Sequence, residues 1–184
     1  MTVIWDLTTV ITAMKTKLLF AFVSGLTLVS AAWAADAAKP VARVAITFVS
    51  PENFSDVKSD SMATDRDRDY LLDTIKSYME KRAGLYLATG QSLEIKVTDV
   101  DLAGDFEPWR GPGLDHVRIL KDIYPPRMEL EFRLASADGK TISEGKRRLQ
   151  NLGYLMTSPL PTNDPLRYDK EMIDDWMRQE FKRS

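Results

Sequence analysis

The most distinctive segment in this sequence for recognising or transforming another molecule is Asp99 to Arg127. It reads Asp-Val-Asp-Leu-Ala-Gly-Asp-Phe-Glu-Pro-Trp-Arg-Gly-Pro-Gly, continues through Leu-Asp-His-Val-Arg, and closes on Tyr-Pro-Pro-Arg. Trp109 and Tyr124 offer large, stiff contact surfaces. Arg110, Arg118 and Arg127 offer planar forks of donors that fit a carboxylate or phosphate with two bonds at once. These five residues form the candidate binding set. The same residues also allow an internal role, in which Trp109 and Tyr124 close the open side of a sheet and the arginines pair with Asp105, Glu107 and Asp115. A connection of this length between strands is uncommon unless it binds something or packs as an ordered lid.

Catalytic chemistry finds less support. His116 is the only histidine, so a histidine-rich metal site cannot form. A lone general base also needs an orienting carboxylate and a nucleophile in reach, and Asp115 is a neighbour in sequence only. Asp99, Asp101, Asp105 and Glu107 match part of a calcium loop, but Ala103 stands at a ligand position and Arg110 replaces the bidentate glutamate that completes such a loop. No Gly-x-Ser-x-Gly elbow, phosphate-cradling glycine loop or His-Glu-x-x-His helix occurs. Gly111-Pro112-Gly113 is a turn, since no helix with a lysine and a hydroxyl opens from it. Two acids suffice for glycoside hydrolysis, yet a small helix-covered sheet offers no deep sugar cleft. No catalytic residue, metal or cofactor is therefore expected. A small hydrolase using Asp or Glu with His116 stands as the rival reading.

The 184 residues hold 25 Lys and Arg against 27 Asp and Glu, and no cysteine. That balance argues against a nucleic-acid partner, because phosphate binding usually needs a basic excess or patch. The lack of cysteine removes zinc-finger, iron-sulfur, thiol-nucleophile and disulfide chemistry together. From Met14 the chain runs Met-Lys-Thr-Lys, then an apolar stretch from Leu18 to Val29, then Ala32-Trp33-Ala34. A charged start, a short apolar centre and small residues around a cleavage point make residues 1–34 a secretory signal peptide, with Met14 as the expected start and cleavage after Ala34. The apolar stretch is shorter than the roughly 20 residues that a membrane span requires. The expected mature chain, residues 35–184, is a single soluble domain without a membrane span, located in the periplasm. It loses Lys15, Lys17 and Asp6, which moves the formal charge from −2 to about −3.

The elements that must position the segment follow from periodicity. Ala42, Val44, Ile46 and Phe48 alternate with polar partners as a half-buried strand, ended by Ser50-Pro51-Glu52-Asn53. Thr64 can cap a helix running to Tyr86, with Leu71, Leu72, Ile75, Tyr78, Met79 and Ala83 on one side. Leu93, Ile95 and Val97 alternate as a second strand, and the slip to Val100 and Leu102 implies a bulge near Thr98 and Asp99. Strand, helix, strand in this spacing favours parallel pairing. Met128, Leu130, Phe132 and Leu134 alternate before Asp138-Gly139 and the return of Thr141 to Leu149, a hairpin whose second strand carries Lys146, Arg147 and Arg148 as a guarded edge. After the loop Ser158 to Asn163, Pro165 suits the first position of a last helix reaching about Phe181, into whose apolar side Asp169 and Glu180 intrude. The expected fold is α+β: about four strands in the order strand, helix, strand, hairpin, helix, with two amphipathic helices packed on the sheet.

Four segments together are similar to a bacterial family known as domain of unknown function 3016, short secreted proteins of Gram-negative bacteria. They are Thr47-Phe48-Val49-x-Pro51-Glu52-x-Phe54, Val97-Thr98-Asp99-x-Asp101-Leu102-Ala103-Gly104-x-Phe106-Glu107-Pro108-Trp109, Tyr124-Pro125-Pro126-Arg127 and Asp164-Pro165-Leu166-Arg167-Tyr168. The resemblance implies an exported location and assigns no catalytic or binding residue. The functional expectation is a non-enzymatic module binding a protein or envelope component through residues 104–127. A purely structural stress-tolerance protein is the bland alternative.

Overall fold

The alternating segments become a mixed sheet. The computed structural model describes residues 42–111, 113–157 and 163–181; the leader expected at 1–34 lies outside them, as do residues Ser158 to Thr162 of the proline loop. Strand β1 (Arg43–Phe48) runs parallel to β2 (Ser92–Asp101), in register from Arg43 opposite Ser92 to Phe48 opposite Val97. Helix α1 (Asp65–Ala83) lies on the connection between them. Two short strands, β3 (Asp105–Phe106) and β4 (Arg118–Ile119), make a separate antiparallel ribbon. Strand β5 (Arg127–Ala135) then pairs antiparallel with β2, and β6 (Thr141–Gln150) with β5, giving the order β1-β2-β5-β6. Helix α2 (Arg167–Glu180) ends the described chain and packs beside α1.

The slip in apolar parity is a real irregularity: the β2–β5 register shifts between Val97 and Asp99. Its effect is to return Val100 to the helix-covered side, so that Leu93, Ile95, Val97 and Val100 are all buried. They meet Ile75 and Met79 of α1 and Ile173 and Met177 of α2 in one core. Phe132, Trp176 and Phe181 pack edge to face with ring centroids 5.5–6.0 Å apart, which favours the positive ring edges over the negative faces.

Both helices are shorter than periodicity suggests, for local reasons. The amides of Leu85 and Tyr86 bond the carbonyls of Arg82 and Ala83, three residues back, so α1 tightens into a turn after Ala83. At α2, Asp164 Oδ1 accepts the Leu166 amide at 2.9 Å and the Arg167 amide reaches Asp164 O, which holds Pro165 in a turn and starts the helix at Arg167. At the start of α1 Thr64 stands at the cap position and Asp67 reaches back to it, Oδ2 accepting both Thr64 N–H and Thr64 Oγ1–H.

Strand β6 is an edge. Lys146 and Arg148 pair across the open face with Glu131 at 2.5 Å and Glu129 at 3.4 Å. Arg147 turns to the helix side, bonding Glu180 with two N–H groups at 2.7 and 2.9 Å and covering the Phe132 ring. This explains one intrusion in the apolar side of α2, since Glu180 is there for Arg147. No helix among the described residues is long and apolar enough to cross a membrane.

Candidate functional site

The described residues between Leu102 and Pro126 form an excursion held by three fastenings. The first is its base. Arg118 of β4 donates to the carbonyls of Gly104 at 2.7 Å and Lys58 at 2.8 Å, and pairs with Asp56 Oδ2 at 2.9 Å. Its guanidinium also stacks on the Phe106 ring, 4.6 Å from the centroid. One side chain thus joins the ribbon to the segment after β1, where Asp56 bridges Asp101 of β2.

The second fastening is Glu107, only 1% exposed. Its carboxylate accepts from Lys121 Nζ and from Tyr124 Oη at 3.0 Å, and Arg110 Nε lies 2.6 Å from its other oxygen. The Lys121 hydrogen bond, seconded by Tyr124 and the charges of Lys121 and Arg110, holds this carboxyl below the usual glutamate range. Tyr124 is correspondingly pushed up by giving its proton to that bond. A buried charge is tolerated only when so surrounded.

The third is Asp169 of α2, the other residue that interrupts the apolar side of that helix. It is 2% exposed and its Oδ1 accepts the Ala103 amide at 3.1 Å. Burial, opposed by that hydrogen bond, raises its carboxyl to about 7.

Beside these fastenings opens a pocket of about 490 Å³. Its apolar lining includes Phe106, Pro108, Ile123 and Tyr124; its polar lining includes Asp56, Lys58, Asp101, Asp105 and Arg127. Arg127 Nη1 donates to Asp101 Oδ2 at 3.1 Å, and Asp101 is nevertheless raised, first by burial and then by the charges of Asp56 and Asp99. Its volume falls within the range of small-ligand sites, while its lining is more polar than is usual for them.

The five candidate binding residues therefore occupy three settings. Trp109, on a three-ten turn over Pro108–Arg110, is 71% exposed and closes no side of the sheet. Arg110 is also exposed beside it while held by Glu107. Tyr124 and Arg127 line the pocket, and Arg118 lies inside the loop base. The arginine partners are Glu107, Asp56 and Asp101; of the three acids expected from sequence, only Glu107 takes part. His116 is exposed, with Nδ1 3.0 Å from Ser61 Oγ and Nε2 3.5 Å from Asp115 Oδ2. Ser61 also lines the pocket and was invisible to sequence reasoning, because 55 residues separate it from its partner. Among the described residues no group of three or more His, Asp or Glu is arranged to hold a metal ion.

Fold and site together define a class: a small α+β scaffold whose distinguishing part is a stapled excursion beside a mixed-charge pocket. The chain belongs to the family described as Protein of unknown function (DUF3016), whose pattern matches residues 42–179, from the start of β1 to the last turn of α2. No curated protein matches it.

Proposed function

We propose that this protein is a non-enzymatic binding module of the periplasm, which engages a protein or envelope component through the excursion between β2 and β5. The observation that carries the reading is Trp109. An indole 71% exposed is held on a turn whose neighbour Glu107 is stapled by three side chains, so the ring is presented without the entropy cost of ordering a free loop. Leu114, Val117 and Ile123 of the same excursion are also exposed, between 42% and 67%. In the pocket lined by Ile123, Tyr124 presents its ring, its hydroxyl being bound to Glu107, and Arg127 presents a half-exposed guanidinium suited to an acidic group on the partner. Export rests on the sequence from Met14 to Ala34.

The test is quantitative binding. A partner is captured with wild-type protein from the envelope fraction, identified, and titrated against purified variants. Trp109→Ala should weaken its affinity by about tenfold or more, and Arg127→Ala by less, with the circular dichroism of both unchanged. If both variants keep the affinity of the wild type for every captured component, the excursion is not the binding element.

One observation favours a second reading. Ser61, His116 and Asp115 have the residue types of a hydrolytic triad, and the pocket lies against Ser61. Against it, the imidazole is exposed and its carboxylate contact exceeds hydrogen-bond length, whereas a working base is fixed by a directional bond from its orienting group. His116→Ala is expected to leave unchanged whatever slow turnover of an activated ester the wild type shows. A loss of about a hundredfold or more would restore the hydrolase.

A further inference from the structure

Asp169 is placed oddly for an acid. It sits on the buried side of α2, Oδ1 takes the Ala103 amide, and Oδ2 has no hydrogen-bond partner. The basic neighbours on its own helix are engaged elsewhere: Lys170 Nζ lies 2.5 Å from Asp164 Oδ2, and Arg167 donates to Asp164 O while stacking on Tyr168. Across the interface it faces Asp101 of β2, Arg118 of β4 and Tyr154 of the three-ten turn at Tyr154–Met156. Arg118 acts on it only through space, having committed its hydrogen bonds to Asp56, Gly104 and Lys58. Asp101 repels it, and Tyr154 spends its hydroxyl on Lys121 O. An ionised Asp169 therefore has only the Ala103 amide and its own amide to stabilise it and no adjacent counter-charge, so burial favours the neutral form.

The contact partner is what makes this consequential. Ala103 and Gly104 begin the excursion, and Gly104 is tied in turn to Tyr124 O and to Arg118. We propose that Asp169 is a proton-operated latch on the excursion: protonated, it lets residues 102–104 lie closed against α2, and ionised, it draws that segment open towards water. The functional meaning of the latch rests on the reading of the excursion as the binding element; its physical operation does not. The sign follows from burial. A carboxyl raised to about 7 is neutral in the closed state between the ordinary aspartate range and pH 7, and that advantage is lost as pH rises through about 7. The excursion is firmly seated in mildly acidic surroundings and looser in alkaline ones.

Two measurements on the full chain test this. The carboxyl carbon of Asp169 is titrated by NMR in the wild type, and amide protection factors of Ala103 and Gly104 are followed from about pH 5.5 to 8.5 against Ile95 and Leu130 as references. The Asp169 signal should titrate within about one unit of 7. Protection at Ala103 should fall about tenfold relative to Ile95 across that range. Asp169→Asn keeps an acceptor for the Ala103 amide and cannot ionise, so its protection should stay level. A wild-type midpoint below about 5, which needs no variant to observe, overturns the latch; so does an Asp169→Asn protein that loses protection at Ala103 as the wild type does. Neither readout involves a partner, so the latch can fail while the dependence of binding on Trp109 stands, and the reverse.

Discussion

Arg118→Met is expected to lower the free energy of unfolding by about 3–5 kcal/mol, because it breaks a largely buried ion pair from one side only. Arg118 and Asp56 are 17% and 15% exposed at their side chains, so water screens them little. Asp56 Oδ1 already has no hydrogen-bond partner, and losing Arg118 strands Oδ2 as well. The carbonyls of Gly104 and Lys58 lose their donor in the same step. Methionine restores most of the apolar stem, so the cost reports the polar head. Urea denaturation measures it, and two comparisons fix its cause. Arg127→Met removes a pair that is 40% exposed on the arginine side and should cost about 1 kcal/mol or less. Adding Asp56→Asn to Arg118→Met should recover part of the loss, since it removes the stranded charge. If Arg118→Met costs no more than Arg127→Met, the guanidinium does not hold the loop base.

The same residue shows where sequence reasoning succeeds and where it stops. Regular elements are set by local rules, and local rules can be read: the alternation in β1 and β5, the bulge after Val97 and the turn at Asp138-Gly139 all stand in the structure at the expected places. Ion-pair partners are set by chain topology. Reasoning along the chain assigns Arg118 to an acid within its own loop. The parallel bridge between Asp56 and Asp101 instead brings in a carboxylate from before α1. Ser61 reaches His116 by the same route. The signal for the Asp169 fastening and for the Arg147–Glu180 pair was nevertheless present as a conflict. Asp169 and Glu180 interrupt an otherwise apolar helix side, and each turns out to be there for a specific partner, the Ala103 amide and the Arg147 guanidinium. A polar residue at a core position is a local loss that only a tertiary contact can offset. What the sequence withholds is which contact.

Gly104 gives the second large expectation, and it separates two penalties that are usually mixed. Its φ of +83° lies in the left-handed region, where a β-carbon costs about 1–2 kcal/mol. In addition, a β-carbon there would stand 2.8 Å from Ile119 O and 2.9 Å from Leu120 Cδ2. The first of these is backbone of the strand end to which the ribbon is tied and cannot swing aside, so relief requires β4 to move. Overpacking of this kind costs about 1–3 kcal/mol more, and Gly104→Ala should lose about 2–5 kcal/mol in all. Gly139 supplies the control, with the same φ of +83° and nothing within 4 Å of the added carbon. Gly139→Ala should show the conformational penalty alone, about 1–2 kcal/mol. Equal losses in the two variants would mean that the excursion yields freely at its root. A larger loss at Gly104, joined by faster amide exchange at Ala103, would show that the ribbon is seated on a backbone contact too close for any side chain. On that account the exposed Trp109 keeps its position in the closed arrangement because Gly104 packs directly on the Ile119 backbone beneath it.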